Sequence, residues 1–119
     1  MKEKSITING TETSMLYCAA AENCFEEVAG KSIYEINFQS QKDLIVLGLS
    51  TIVAAYARKG EEPPVTSDTL LYDATPQELT ELIKAALELR AEWYGIPKVV
   101  EESIEKEKEA IEGEDLPKN

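Results

Sequence analysis

The segment SQKDLIVLGLSTIVAAYARKG, residues 40–60, is the most apolar part of the chain, and it constrains the fold more than any other feature. Its apolar side chains recur at helical spacing and cover most sides of the helix, so other elements have to surround it. Ser40 suits the N-cap with Asp43 at the third helical position, and Gly60 suits a left-handed C-cap. The apolar run is too short and too interrupted for a membrane span. The segment therefore predicts a central, buried helix.

The N-terminal segment, KSITINGTETSMLY, predicts a β-hairpin. Ile6 and Ile8 alternate with polar residues, and Asn9-Gly10 suits a two-residue type I′ turn, because both turn residues need a positive φ. A hairpin alone is marginally stable, so we expect it to pack on the helices. A helical period follows the hairpin, at the positions Tyr17, Ala20, Ala21, Cys24, Phe25 and Val28.

The tripeptide Gly30-Lys31-Ser32 ends the motif of the phosphate-binding P-loop, but its surroundings do not fit that loop. The P-loop needs a glycine where this chain has Phe25, and it follows a strand, whereas a helix is predicted here. Ser32 instead fits the N-cap of a capping box that Glu35 completes. We therefore expect Gly30 to end one helix and Ser32 to begin a short second one, and we expect ATP and GTP not to bind.

The segment TPQELTELIKAALELRAEWYG, residues 75–95, carries the strongest helix start of the chain. Thr75 suits the N-cap, Pro76 suits the first helical position, and Glu78 completes a capping box. A glycine and a proline shortly after Trp93 are expected to end the helix. The stripe at helical spacing consists of Leu79, Leu82, Ile83, Ala86, Leu89, Arg90 and Trp93.

A loop over residues 61–68 separates the two long helices. Pro63-Pro64 makes it stiff and extended, and this restricts how the chain crosses between the helices. The loop leads into a short helical turn, TLLYDA, for which Ser67 or Asp68 is the expected cap.

These elements predict a fold that is mainly α with a small N-terminal β-hairpin. We expect a single compact helical domain over residues 1–97, because 119 residues fit one domain of common size. Residues 98–119 are expected to form an acidic helix or tail, in which Glu102 and Lys106 make a favourable i, i+4 pair. Its thin stripe at helical spacing consists of Val99, Val100, Ser103, Ile104, Glu107 and Ile111.

The composition excludes several kinds of site. The chain has no histidine, which excludes His-based triads, His general bases and His-containing zinc sites. Cys18 and Cys24 are too few for a structural zinc site, and we expect them to be buried thiols without a disulfide. Glu26-Glu27 is predicted to be part of a solvated face rather than a catalytic pair. We expect no enzyme, and no catalytic, cofactor or metal residues.

The net charge constrains the partners. A formal charge of −11 disfavours contact with nucleic acid, because the phosphate backbone repels an acidic surface. Anionic membranes are disfavoured for the same reason. The charge favours solubility and a protein partner that is basic or has an apolar groove.

The order of the elements and several local motifs resemble the small tail assembly chaperones of long-tailed bacteriophages and prophages. Those proteins open with a strand pair around an Asn-Gly turn. They continue with a helix that ends in two acids, an apolar position and Gly-Lys-Ser, as residues 25–34 do here. A strongly apolar helix follows, as in residues 43–56, and then an amphipathic helix with a start similar to TPQE at residues 75–78. The resemblance covers residues 5–94.

The resemblance implies a non-enzymatic helper in the cytoplasm of the bacterial host. Such chaperones coat the tape-measure protein until tail-tube protein polymerises around it. The tape-measure protein is a very long and largely helical chain with association-prone apolar segments. The implied partners are therefore the tape-measure protein and the tail-tube protein. Large apolar side chains on an exposed turn also suit self-association when no client is present.

We expect the partner surface to be apolar and exposed, because a short turn has little helix of its own to bury large side chains. The candidate residues are Leu70, Leu71 and Tyr72 on the turn, with Trp93 and Tyr94 beside it. The alternative for the aromatic pair is that it seals the core. A second class of function also stays open, namely a small acidic inhibitor or antitoxin-type module that neutralises a basic protein partner.

Overall fold

The elements of the protein follow the predicted order. A computed structural model describes residues 3–95, and the acidic segment of residues 98–119 lies outside them. The expectation of a mainly α fold with an N-terminal hairpin is confirmed. The elements are strands β1 (Glu3–Ile8) and β2 (Thr11–Leu16), helices α1 (Ala19–Ala29), α2 (Gln41–Lys59) and α3 (Pro76–Trp93), a 3-10 turn (Ile33–Glu35) and a π-helical turn (Thr69–Asp73).

Helix α2 lies at the centre of the domain, where it packs against α1, α3 and strand β2. Leu47 and Ile52 are fully buried. The hydroxyls of Ser50 and Thr51 are buried as well, and they donate to backbone carbonyls one turn earlier at 2.7 and 2.6 Å. These bonds satisfy polar groups that would be costly to bury alone. The central helix is confirmed, and so are its serine N-cap and its left-handed glycine C-cap.

Helices α2 and α3 approach each other closely where Gly48 faces Leu82. A Cβ atom placed on Gly48 would lie 2.6 Å from Leu82 Cγ and 2.9 Å from each of its Cδ atoms, which is inside van der Waals contact. The Leu82 side chain is fully buried, so it has little free space to move into. The missing side chain at position 48 therefore permits this interhelical distance.

One carboxylate fixes the hairpin turn to helix α3. Asn9 and Gly10 have φ values of 50° and 79°, as the predicted type I′ turn requires. Glu78 Oε2 accepts a hydrogen bond from Asn9 N at 3.0 Å, while its Oε1 accepts one from Thr75 N at 3.0 Å and completes the predicted capping box. The Tyr56 hydroxyl accepts a further bond from a backbone amide in β2 at 3.1 Å. The two-stranded sheet is thus supported by both long helices.

The Gly-Lys-Ser segment joins two helical elements, as predicted. Gly30 (φ 73°) ends α1, and Ser32 begins the 3-10 turn with the complete capping box. Lys31 Nζ lies 2.6 Å from Asp43 Oδ2, which also accepts a bond from Asn37 N at 2.8 Å. The Lys31 ammonium first and the Asn37 amide second lower the pKa of Asp43, against the opposing effect of burial. The lysine is therefore engaged in an internal ion pair.

The predicted cap of the turn before α3 is wrong. Asp68 makes no side-chain cap bond, and Ser67 is exposed. Thr66 Oγ1 instead accepts a bond from Thr69 N at 3.3 Å, and Thr69 Oγ1 accepts one from Thr66 N at the same distance. This reciprocal arrangement moves the start of the turn one residue earlier than predicted.

Helix α1 is shorter and more exposed than its sequence pattern predicts. Cys18 precedes the helix in an extended conformation (φ −162°), so it does not share a helix with Cys24. Both thiols are free, as expected, but they are half-buried rather than buried. Val28 is exposed because the buried face of α1 is narrow and consists of Ala21 and Phe25.

Candidate functional site

The residues expected to form one partner surface lie in three different environments. Leu70 is 1% exposed and belongs to the core, so its assignment to an exposed surface is wrong. Leu71 and Tyr72 on the same turn are 58% and 81% exposed, and Trp93 and Tyr94 are 43% and 40% exposed. The π-helical turn precedes α3 and the aromatic pair ends it, and 18 helical residues span about 27 Å. The two exposed pairs therefore lie at opposite ends of α3 rather than side by side.

The C-terminal end of α3 carries the larger group of exposed rings. The Arg90 guanidinium carbon lies 5.2 Å from the centroid of the Phe38 ring and 5.0 Å from that of Tyr94, distances typical of cation–π contacts. Phe38 comes from the loop before α2, and the exposed ring of Tyr34 on the 3-10 turn lies close enough to Tyr94 for the two hydroxyls to interact electrostatically. We define the aromatic patch as Tyr34, Phe38, Trp93 and Tyr94 together with Arg90.

Beneath the aromatic patch, a buried tyrosine and a glutamate hold its rings in place. Tyr17, at the end of β2, is buried, and its ring centroid lies 6.4 Å from both Trp93 and Tyr94 in tilted geometry. Glu22 Oε2 on α1 accepts a hydrogen bond from the Tyr17 hydroxyl at 2.7 Å and another from the Tyr94 hydroxyl. Trp93 and Tyr94, two of the four rings of the patch, are therefore held by contacts from α1 and from the residue that follows β2.

The two hydroxyls that bond Glu22 are held in their neutral form. Burial raises the pKa of Tyr94 to about 12, and the hydrogen bond to Glu22 and the nearby Tyr34 add to the increase. Burial and the same carboxylate also raise the pKa of Tyr17 far above its ordinary value. Both groups consequently remain hydrogen-bond donors throughout the physiological pH range.

Arg90 is the polar centre of the patch and is incompletely satisfied. Its Nε atom is buried, and it has no hydrogen-bond partner within residues 3–95. Buried donors in native proteins nearly always have a partner, so an orphaned guanidinium nitrogen among aromatic rings calls for an explanation. Its positive charge beside the Phe38 and Tyr94 rings suits a ligand that carries a carboxylate next to apolar groups.

Sequence reasoning missed Phe38 and placed Arg90 only in a helical stripe. A signal for Phe38 was present, because a large aromatic residue stands in the otherwise polar linker between the 3-10 turn and the Ser40 cap. Its contact with Arg90 joins residues 52 positions apart, which periodicity along one helix cannot reveal. The patch is a tertiary feature.

No protein-family model matches this chain, and neither a curated protein nor a solved structure matches it. Within residues 3–95, every helix is too short or too polar to cross a bilayer.

Proposed function

We propose that the protein is a non-enzymatic tail assembly chaperone of a long-tailed bacteriophage or prophage. In this role it acts in the cytoplasm of the bacterial host and holds amphipathic helices of the tape-measure protein until tail-tube protein polymerises around them. The observation that carries the proposal is the aromatic patch, taken together with the sequence resemblance over residues 5–94.

The chemistry of the aromatic patch suits an amphipathic helix as its ligand. Exposed rings offer large contact areas to side chains that recur at i, i+3 and i+7, and Tyr and Trp lose little conformational entropy on binding. The bonds from Tyr17 and Tyr94 to Glu22 fix part of the surface in advance, which lowers the ordering cost of association. A cation between the rings adds a preference for ligands that carry an acidic group beside their apolar stripe.

The charge of the chain supports a holding function. A formal charge of −11 keeps separate copies apart and soluble while each exposes aromatic surface. Several copies bound along one very long client gain avidity from contacts that are individually weak. Weak single contacts also suit a helper that tail-tube protein has to displace.

The proposal is tested by co-expression with the tape-measure protein of the same phage or prophage, followed by affinity capture through a tag on the tape-measure chain. The double variant Phe38→Ala, Trp93→Ala removes two rings of the patch. We expect it to lower affinity by about 30-fold or more, since truncation of aromatic hot-spot residues costs about 2 kcal/mol or more. Circular dichroism checks that the variant stays folded.

The matched control is Leu71→Asp, Tyr72→Asp, which alters the exposed pair at the other end of α3. We expect this variant to bind as the wild type does. If it alone loses the client, the client surface lies on the π-helical turn and the aromatic patch has another role. If the wild type holds no tape-measure protein and instead co-purifies with a small basic protein, the chaperone proposal is wrong and the inhibitor alternative is favoured.

A further inference from the structure

The outer edge of strand β1 is an open hydrogen-bonding surface. Ser5 lies opposite Ser14 in the hairpin, and the Ser14 amide points away from β1, because it donates to the Tyr56 hydroxyl at 3.1 Å. In antiparallel pairing, two opposed residues of this kind both direct their amide and carbonyl groups away from each other. The backbone groups of Ser5, and by alternation those of Glu3 and Thr7, therefore point outward from the hairpin.

The two edges of the hairpin differ in how they are covered. Helix α2 packs against β2, and Tyr56 bonds to the edge of that strand. The outward amides and carbonyls of Ser5 and Thr7 on β1 have no hydrogen-bond partner within residues 3–95, and both residues are exposed. An exposed row of this kind can accept another strand.

Strand β1 lacks the features that usually protect an edge. Its register with β2 is continuous over all six residues, so it has no bulge, and it contains no proline. Lysine often protects an edge, but Lys4 Nζ lies 3.6 Å from Glu88 Oε1 on α3. Glu3 Oε1 in turn lies 3.8 Å from Lys59 Nζ. The two charges of β1 are therefore paired within the molecule, and the rest of the strand is uncharged.

We propose that β1 pairs with β1 of a second copy of this chain, antiparallel about a two-fold axis at Ser5, so that two hairpins form one four-stranded sheet. In this register Ser5 faces its own counterpart, Glu3 faces Thr7, and Lys4 faces Ile6. All the outward groups of the strand then pair, through about six backbone hydrogen bonds. No like charges are opposed, whereas an axis at Lys4 would oppose two ammonium groups.

A groove beside β1 supplies a complementary charge for the second copy. Its volume is about 350 Å³, and the residues that line it include Lys4, Ser5, Ile6, Glu81, Lys84 and Glu88. Strand β1 runs antiparallel to α3, because the hairpin turn bonds to Glu78 while Lys4 lies near Glu88. Ile6 therefore lies beside the middle of this stretch, where Glu81 is exposed. Since the second copy's Lys4 faces Ile6, its ammonium comes within reach of Glu81, and the axis repeats this opposite-charge contact.

The net charge opposes the pairing and predicts how it responds to salt. Each copy carries a formal charge of −11, so two copies repel each other. Screening shortens the range of this repulsion from about 8 Å at physiological salt to about 3 Å at 1 M, so the dimer should strengthen with salt. The pairing does not depend on a client. Copies held side by side on one tape-measure chain would pair at a lower total concentration, and only that role rests on the proposed function.

Sedimentation equilibrium over micromolar to millimolar protein measures the pairing. We expect the mass to double as the concentration rises, with a dissociation constant several-fold lower at about 1 M than at about 0.15 M salt. Amide hydrogen exchange followed by NMR reports the surface involved. The amides of Ser5 and Thr7 should exchange more slowly as the dimer forms, whereas that of Ser14, already bonded to Tyr56, should not change. A chain that stays monomeric, or a dimer with unchanged exchange at Ser5 and Thr7, would overturn the pairing.

A charge exchange at position 5 tests the axis. Ser5→Lys and Ser5→Glu each oppose two like charges across the axis, so each variant alone should dimerise several-fold more weakly than the wild type. An equal mixture of the two should form a mixed dimer at least as tight as that of the wild type, and Ser5→Ala should dimerise as the wild type does. Circular dichroism checks that each variant is folded, as expected for an exposed position. Failure of the mixture to restore the dimer, or equal dimerisation of all variants, would show that the axis is not at Ser5.

Capture by the tape-measure protein separates the pairing from the proposed function. If wild type and Ser5→Lys both bind that client while no dimer forms, the chaperone proposal holds and the pairing fails. If the dimer and its charge exchange behave as expected but no chain binds the client, the pairing holds and the chaperone proposal fails. If Ser5 and Thr7 become protected only when the client is added, the edge accepts a strand of the client, and pairing between copies is wrong.

Discussion

Gly48→Ala tests the close approach of α2 and α3 with the smallest change of side chain available. Two effects of opposite sign compete. Alanine is favoured over glycine inside a helix by about 1 kcal/mol, which would stabilise the protein. The new Cβ would lie 2.6 Å from Leu82 Cγ, so the packed leucine or the helix has to move, and overpacking of this kind costs about 1–3 kcal/mol.

The clash should dominate, because Leu82 is fully buried and its Cγ and both Cδ atoms lie within 2.9 Å of the new methyl group. We therefore take the overpacking cost from the upper part of its range, about 2–3 kcal/mol, and after the gain of about 1 kcal/mol in helix propensity we expect a net loss of about 1–2 kcal/mol in the free energy of unfolding. For a domain of this size that corresponds to a decrease in Tm of very roughly 4–16 °C. Urea titration followed by circular dichroism at 222 nm gives the free energy, and thermal melting gives Tm.

A double-mutant cycle identifies the cause. Leu82→Ala alone should cost about 2–5 kcal/mol through the cavity it leaves. In Gly48→Ala, Leu82→Ala, the methyl at position 48 enters space that the leucine has vacated, so the double variant should lose at least about 1 kcal/mol less than the sum of the two single losses. A neutral or stabilising Gly48→Ala, or strict additivity in the cycle, would show that Leu82 does not restrict the space at position 48.

Three further predictions concern the polar contacts of the fold. Ser32→Ala should lower the free energy of unfolding by about 1 kcal/mol, because the N-cap is lost. ATP or GTP with magnesium should leave the Tm of the wild type unchanged, and a shift of several degrees would show that the chain binds nucleotide. Because the pKa of Asp43 is lowered in the folded state, its contribution is complete above the unfolded value of about 3.9 and is lost as the pH falls through the folded value. Urea unfolding between pH 7 and pH 3 should show this loss, and Lys31→Met should weaken the pH dependence. Glu78→Ala should speed amide hydrogen exchange at Asn9, with Glu81→Ala on the exposed face of α3 as a control that leaves the rate unchanged.

The features that the sequence predicts correctly depend on residues close together in the chain. The serine and threonine caps, the capping boxes and the Asn-Gly turn need partners at most four positions away, so their chemistry is readable without the fold. The burial of Leu70 is not readable from the sequence, because a five-residue turn has no period from which to infer its buried side. Only the packing of that turn on the core decides that Leu70 points inward while Leu71 points out.

Only part of the candidate site is predictable from the sequence, because sequence patterns report on residues that are close together in the chain. Trp93 and Tyr94 stand out as large aromatic residues near the end of an amphipathic helix. Their association with Phe38, and the presence of a cation among the rings, depend on how the loop before α2 passes the end of α3. No local sequence pattern encodes that crossing.

The Glu78 carboxylate that fixes the hairpin turn has a consequence for the order of events during synthesis. Asn9 and Glu78 are 69 positions apart, and ribosomes add about 5–20 residues per second. Asn9 is therefore translated roughly 3–14 s before Glu78, whose carboxylate holds the turn. A two-stranded sheet is marginal by itself, and the Tyr56 contact with β2 is also missing at first. The hairpin is therefore synthesised several seconds before the helix contacts that support it, and during that time its two strand edges lack these contacts.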